Sequence, residues 1–139
     1  ELGLVMSAVL MGMLADSLLV FSGLVSYPSG TWIDGAAPYW ILAMWAMFAT
    51  TLNVSMKWLR GRNTLAAILG AVGGPLAYFA GQELGAITFL QPVPALIALA
   101  VIWAIAMPSL TALAMRMDGV SEPIKPGFIH SDWREAGHA

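Results

Sequence analysis

Cysteine is absent from the 139 residues, which excludes disulfides, thiol chemistry and Cys-ligated iron–sulfur centres. Charge is nearly as scarce: 10% of the chain is Asp, Glu, Lys or Arg, against about 25% in a soluble domain. Six basic residues, scattered singly and in pairs in a chain of net charge -2, leave no basic face for nucleic acid. The two histidines, His130 and His138, stand in a polar tail without further ligands nearby, so no metal site is expected. A Walker loop, a dinucleotide fingerprint, H-E-x-x-H and a Ser-His-Asp set are all missing. No catalytic residue and no cofactor is therefore expected, and enzymatic activity lacks positive support.

What the chain has instead is apolar side chains, 59% of it. A core of this size cannot hide so many from water, and lipid must act as part of the solvent. The expected fold is all-α, a polytopic transmembrane bundle with four spans at about 2–25, 39–59, 64–85 and 94–116, each long enough at ~1.5 Å per residue to cross a hydrocarbon layer. Residues 1–116 then form one helical domain and 117–139 a polar tail. Exact internal repeats are absent, although the four spans read as two related hairpins. The apolar run begins almost at the first residue, with no basic segment before it, so upstream helices, such as a missing N-terminal helical hairpin, are expected, with a processed or trimmed terminus as the alternative.

Basic residues set the expected topology. Lys57, Arg60 and Arg62 occupy the turn between the second and third spans, and Arg116, Lys125 and Arg134 lie at or beyond the fourth. The loops at 26–38 and 85–93 carry none. The positive-inside rule then puts the basic turn, both termini and the tail in the cytoplasm, in a multi-pass protein of a bacterial inner membrane.

Few polar groups fall within the spans. Asp16, followed by Ser17, is the sharpest signal, because a carboxylate among apolar neighbours is costly. It reads either as an ion, proton or substrate contact or as an interhelical hydrogen bond to a neighbouring helix. Thr50, Thr51 and Asn53 form a second polar group; Thr50 and Asn53 share a helix face, and the simpler reading returns the Thr hydroxyls to backbone carbonyls. In the third span Gly70 and Gly74 make a G-x-x-x-G pair within a stripe of small residues that continues to Gly81, a close-packing surface in lipid. Gly73, Gly74 and Pro75, with Tyr78 beyond them, suggest a kink, or a break whose free backbone groups bind a ligand. Lys57, Arg60 and Arg62 are candidates to hold an anionic lipid headgroup.

The segments Leu14-Ala15-Asp16-Ser17-Leu18-Leu19, Ala37-Pro38-Tyr39-Trp40, Phe48-Ala49-Thr50-Thr51-Leu52-Asn53 with Trp58-Leu59, and Gly70-Ala71-Val72-Gly73-Gly74-Pro75-Leu76-Ala77-Tyr78 together resemble the bacterial inner-membrane family DUF2878. The likeness covers roughly residues 4–116. It implies a small multispanning protein of unknown biochemical function, with apolar helices before the Asp-Ser segment and a link to fatty-acid modification through neighbouring genes. Lys57 and the extended tail depart from the expected pattern, and the tail is a candidate contact with a larger assembly.

The leading expectation is an accessory or scaffold protein that packs against other integral membrane subunits or membrane lipid through the small-residue face. The alternative is a small transporter or lipid-handling protein built on Asp16, Asn53 and the Gly74-Pro75 break. A membrane enzyme of lipid modification is third.

Overall fold

Leu2 to Phe21 is an unbroken run of helix-compatible apolar residues, and it forms helix α1 (Leu2–Phe21) in the computed structural model, which describes residues 2–117. Then come strand β1 (Val25–Ser26), helix α2 (Tyr39–Val54), a 3-10 turn at Lys57–Leu59, helix α3 (Asn63–Glu83), strand β2 (Thr88–Phe89) and helix α4 (Pro92–Met117). The chain is an all-helical bundle, and α1, α3 and α4 are each long and apolar enough to cross a membrane. It is a membrane protein. The expectations for the tail, including Lys125, His130, Arg134 and His138, lie outside the described residues.

Helix α2 has 16 residues and stops at Val54, short of the span expected to reach 59. Three of its last five residues, Thr50, Thr51 and Val54, are β-branched, and both Thr hydroxyls donate to the Met47 carbonyl, which lowers the advantage of continuing the helix. Asn53 is drawn off to accept a hydrogen bond from the Arg60 Nη2 at 3.0 Å. Helix α3 runs through Gly73, Gly74 and Pro75 without interruption, so of the kink and the break the sequence left open, the break does not occur. Pro75 forfeits a single backbone donor, and the turns on either side are held against α4.

Helices α1 and α3 end alike. Gly23 and Gly85 have positive φ values of 68° and 76°, and Leu24 N–H donates to the Leu19 carbonyl as Ala86 N–H donates to that of Gly81. This left-handed glycine termination turns each chain back across its helix end. Both then enter a strand, and β1 pairs with β2 antiparallel in the register Val25 to Phe89 and Ser26 to Thr88. The ribbon ties the two hairpins together at one end of the bundle.

The likeness extends into the helices. Asp16 and Tyr78 are 62 positions apart, and the same offset relates Gly12 to Gly74, Gly23 to Gly85 and Ser26 to Thr88. Of these, Ser26 and Thr88 pair with each other across the ribbon.

The two hairpins are packed unequally. Helix α3 lies tightly on α4, and α1 on α2 and α4, while α2 and α3 barely touch although a short turn joins them. Three glycine positions decide these distances. A side chain at Gly70 would meet the Trp103 carbonyl, one at Gly74 the Trp103 indole, and one at Gly12 the Trp45 indole. The small-residue stripe on α3 is therefore occupied at Gly70 and Gly74 by the chain's own α4.

Candidate functional site

Helix α1 buries Leu4, Ala8, Gly12, Asp16 and Leu19, a stripe at helical spacing that faces the rest of the bundle. Asp16 is fully buried about one and a half turns below the ribbon end of α1. Its Oδ1 accepts from the Tyr27 hydroxyl at 2.7 Å and from the Tyr78 hydroxyl at 2.6 Å. Its Oδ2 accepts from the Trp45 indole Nε1 at 2.9 Å. One carboxyl group thereby joins α1 to the following connection, to α2 and to α3. Tyr27 lies outside the helices; burial, and then the Asp16 carboxyl beside it, hold its phenol well above the usual range, so it remains a donor.

Ser17, beside Asp16, accepts from the Ala37 backbone N–H at 3.0 Å and fastens the long connection to α1. Around this point the aromatic residues of the ribbon end gather: Tyr27 meets Trp40 edge to face, and Trp32 stacks on Tyr39. Asp16 is thus buried with three hydrogen-bond donors from this chain.

Below Asp16, Trp45 stacks on Trp103 with ring centroids 4.6 Å apart, and Phe48 meets Trp103 edge to face at 5.1 Å. Gly12 and Gly74 make the space for the two indoles. This aromatic layer crosses all four helices and forms the floor of a cleft between α2 and α3.

The cleft has a volume of about 510 Å³, within the usual range for small-molecule sites. Met44 and Phe48 line its α2 wall, Gly73 and Ala77 its α3 wall, with Trp103 at the base. Tyr78 and Trp45 close it toward Asp16, and Met56 and Trp58 mark the other end, beside the basic turn. A second, smaller cavity of about 220 Å³ continues past Tyr78 toward Ala86 and Ile87 under the ribbon, sharing Ile41, Met44, Ala77 and Tyr78 with the first. Gly73 is exposed, and a side chain built on it would meet nothing within 4 Å. Its missing Cβ widens the cleft and serves no packing contact.

The sequence candidates therefore divide into separate groups. Asp16 and Tyr78 come together in one buried hydrogen-bond cluster, with Ser17 next to it. Asn53 sits near the opposite end, paired with Arg60, while Thr50 and Thr51 are exposed and return to backbone. Neither Asp16 nor Asn53 lines either of these two cavities. Gly70 and Gly74 are buried against α4, Gly73 opens on the cleft, and a Cβ on Gly81 would lie 3.0 Å from Ile87. Tyr27, Trp45 and Trp103 were not singled out by sequence reasoning. The glycines at Gly12 and Gly74 signal two large facing groups, the indoles of Trp45 and Trp103, without saying which residues supply them, and nothing in the sequence marks Tyr27.

A family model described as "Protein of unknown function (DUF2878)" matches residues 1–109, and the chain belongs to that family. No curated protein and no solved structure matches it.

Proposed function

For this member of the DUF2878 family, we propose a lipid-binding role in the membrane: the cleft between α2 and α3 takes one hydrocarbon chain of a bilayer lipid. The observation that carries the reading is the cleft itself, about 510 Å³ of space lined by apolar and small side chains between two successive helices that scarcely meet. In a bilayer such a gap cannot stay empty at no cost, because its walls would lose their dispersion contacts. Lipid chains are the solvent at that depth, and a flexible chain fits an irregular wall of Met44, Met56 and Met107 well. The membrane expected is a bacterial inner membrane, with the basic turn on the cytoplasmic side.

The accessory reading keeps less support. Gly70 and Gly74, the close-packing pair it relied on, are engaged within the chain by Trp103. Transport through Asp16 and Asn53 loses support as well, since these residues have separate partners and line neither of the two cavities.

Gly73→Leu supplies the test. The new side chain enters the cleft without a backbone clash, and leucine is a better helix former than glycine by up to about 1 kcal/mol. Native mass spectrometry of the full chain, released from membranes in mild detergent, should find one retained phospholipid on the wild type and none on Gly73→Leu. Equal lipid retention by both proteins, at equal melting temperature, would end the proposal.

A further inference from the structure

A hydrocarbon chain gains little from leaving other hydrocarbon chains, so an apolar cleft alone gives weak preference among lipids. Any selectivity must come from the polar end of the occupant. The cleft has one candidate for that contact, at the end lined by Met56 and Trp58. Lys57 stands between those two residues in sequence, and Arg62 closes the same turn.

This turn is held in place. Leu59 is fully buried at its centre. Arg60 N–H donates to the Lys57 carbonyl and Arg62 N–H to that of Leu59, while the Arg60 side chain reaches back to Asn53 at the end of α2. Gly61 takes the left-handed conformation at φ 77° that lets the chain reverse there. Lys57 and Arg62 are exposed on this fixed frame.

Charge is sorted along the bundle. Lys57, Arg60, Arg62 and Arg116 lie at the end away from the ribbon, whereas the described carboxylates Asp16, Asp34 and Glu83 lie in the ribbon half. Among the described residues no carboxylate is therefore at hand to neutralise Lys57 and Arg62. A phosphate at the bilayer surface meets that need at the depth where Trp58, half exposed, suits the interface.

We propose that the α2–α3 cleft selects an anionic phospholipid, with its chain along Gly73 and Ala77 and its headgroup phosphate on Lys57 and Arg62. The proposal rests on the chain-binding reading above and adds the headgroup class. A lipid fits both parts at once, because the cationic turn is continuous with the hydrocarbon-sized cleft. Each basic residue near a membrane surface contributes about five-fold in preference for anionic lipid, and two on one phosphate give more than ten-fold.

The test uses the full chain in vesicles of equal phosphatidylglycerol and phosphatidylcholine with identical acyl chains, followed by mild-detergent release and native mass spectrometry. The wild type should retain phosphatidylglycerol over phosphatidylcholine by about ten-fold or more. Lys57→Gln with Arg62→Gln should bring the ratio close to one while still retaining one lipid. Millimolar inorganic phosphate should leave the ratio unchanged, and displacement of phosphatidylglycerol by phosphate would overturn the lipid as occupant. Equal retention of the two lipids by the wild type, or an undiminished preference in the double variant, overturns the headgroup assignment and leaves the chain reading standing. No retained lipid on the wild type removes both.

Discussion

The indoles of Trp45 and Trp103 stack 4.6 Å apart and 13° from parallel, and each rests where a neighbouring glycine lacks its Cβ: Gly12 of α1 under Trp45, Gly74 of α3 under Trp103. Two glycines and two indoles thus set the spacing of all four helices in one layer. In lipid this is how close approach and large contact area are combined, since no water-driven force presses helices together.

Gly12→Ala and Gly74→Ala should each destabilise the bundle by about 1–3 kcal/mol, the usual cost of forcing extra atoms into a filled contact. Gly73→Ala, one residue away, should be neutral or slightly stabilising, because its Cβ points into open space. Thermal unfolding in mild detergent measures all three. Similar losses at Gly73 and Gly74 would show that glycine content, and not the indole contact, sets stability there.

Asp16 is held by three uncharged donors from three different segments. Asp16→Ala should cost about 2–4 kcal/mol, since it leaves the hydroxyls of Tyr27 and Tyr78 and the Trp45 N–H without their acceptor. Asp16→Asn keeps one accepting oxygen and turns an amide donor toward another donor, so its loss should be smaller. Tyr78→Phe removes one bond and should cost about 1 kcal/mol, in line with interhelical hydrogen bonds in membranes. Unfolding midpoints should fall in the order Tyr78→Phe, Asp16→Asn, Asp16→Ala. A wild-type midpoint for Asp16→Ala would remove the cluster from the forces that hold the helices.

Much of this architecture is readable before any coordinates. Hydropathy marks the helices because each must bury its backbone polar groups internally in lipid, and the glycine stripe at Gly70 and Gly74 announces a close contact. Which helix makes that contact is not readable, because a small residue specifies a distance and no partner. Asp16 shows a similar division: its cost in apolar surroundings makes it conspicuous, but its donors Tyr27 and Trp45 look like ordinary interfacial and core aromatics. The cleft is least legible of all. It arises where α2 and α3 fail to pack, and neither helix carries a residue pattern that distinguishes a wall from a lipid-facing side. The ribbon escapes notice because two-residue strands carry no periodic signal.

The ribbon register gives a direct check on how the two hairpins are joined. Ser26 and Thr88 pair across the antiparallel strands, at a separation that suits a disulfide. The chain has no cysteine of its own, so Ser26→Cys with Thr88→Cys should cross-link under mild oxidation without competing pairs. Ser26→Cys with Leu90→Cys, displaced along the strand, should cross-link far more slowly. Reduced and oxidised samples separate by mobility on denaturing gels, and comparable rates for the two pairs would overturn the register.

Topology can be read from the same cysteine-free background. Lys57, Arg60, Arg62 and Arg116 gather at one end of the bundle, and Asp34 lies in the basic-free connection at the other. On the expected orientation, with the positive end in the cytoplasm, Asp34→Cys should react with a membrane-impermeant maleimide on intact spheroplasts. Arg116→Cys should react only after the membrane is permeabilised; it removes one positive charge and leaves the three of the α2–α3 turn to fix orientation. Labelling of Arg116→Cys in intact spheroplasts, with Asp34→Cys protected, would reverse the orientation. The phosphate contact of Lys57 and Arg62 would then face the outer leaflet, and the lipid held in the cleft would have to be drawn from that side.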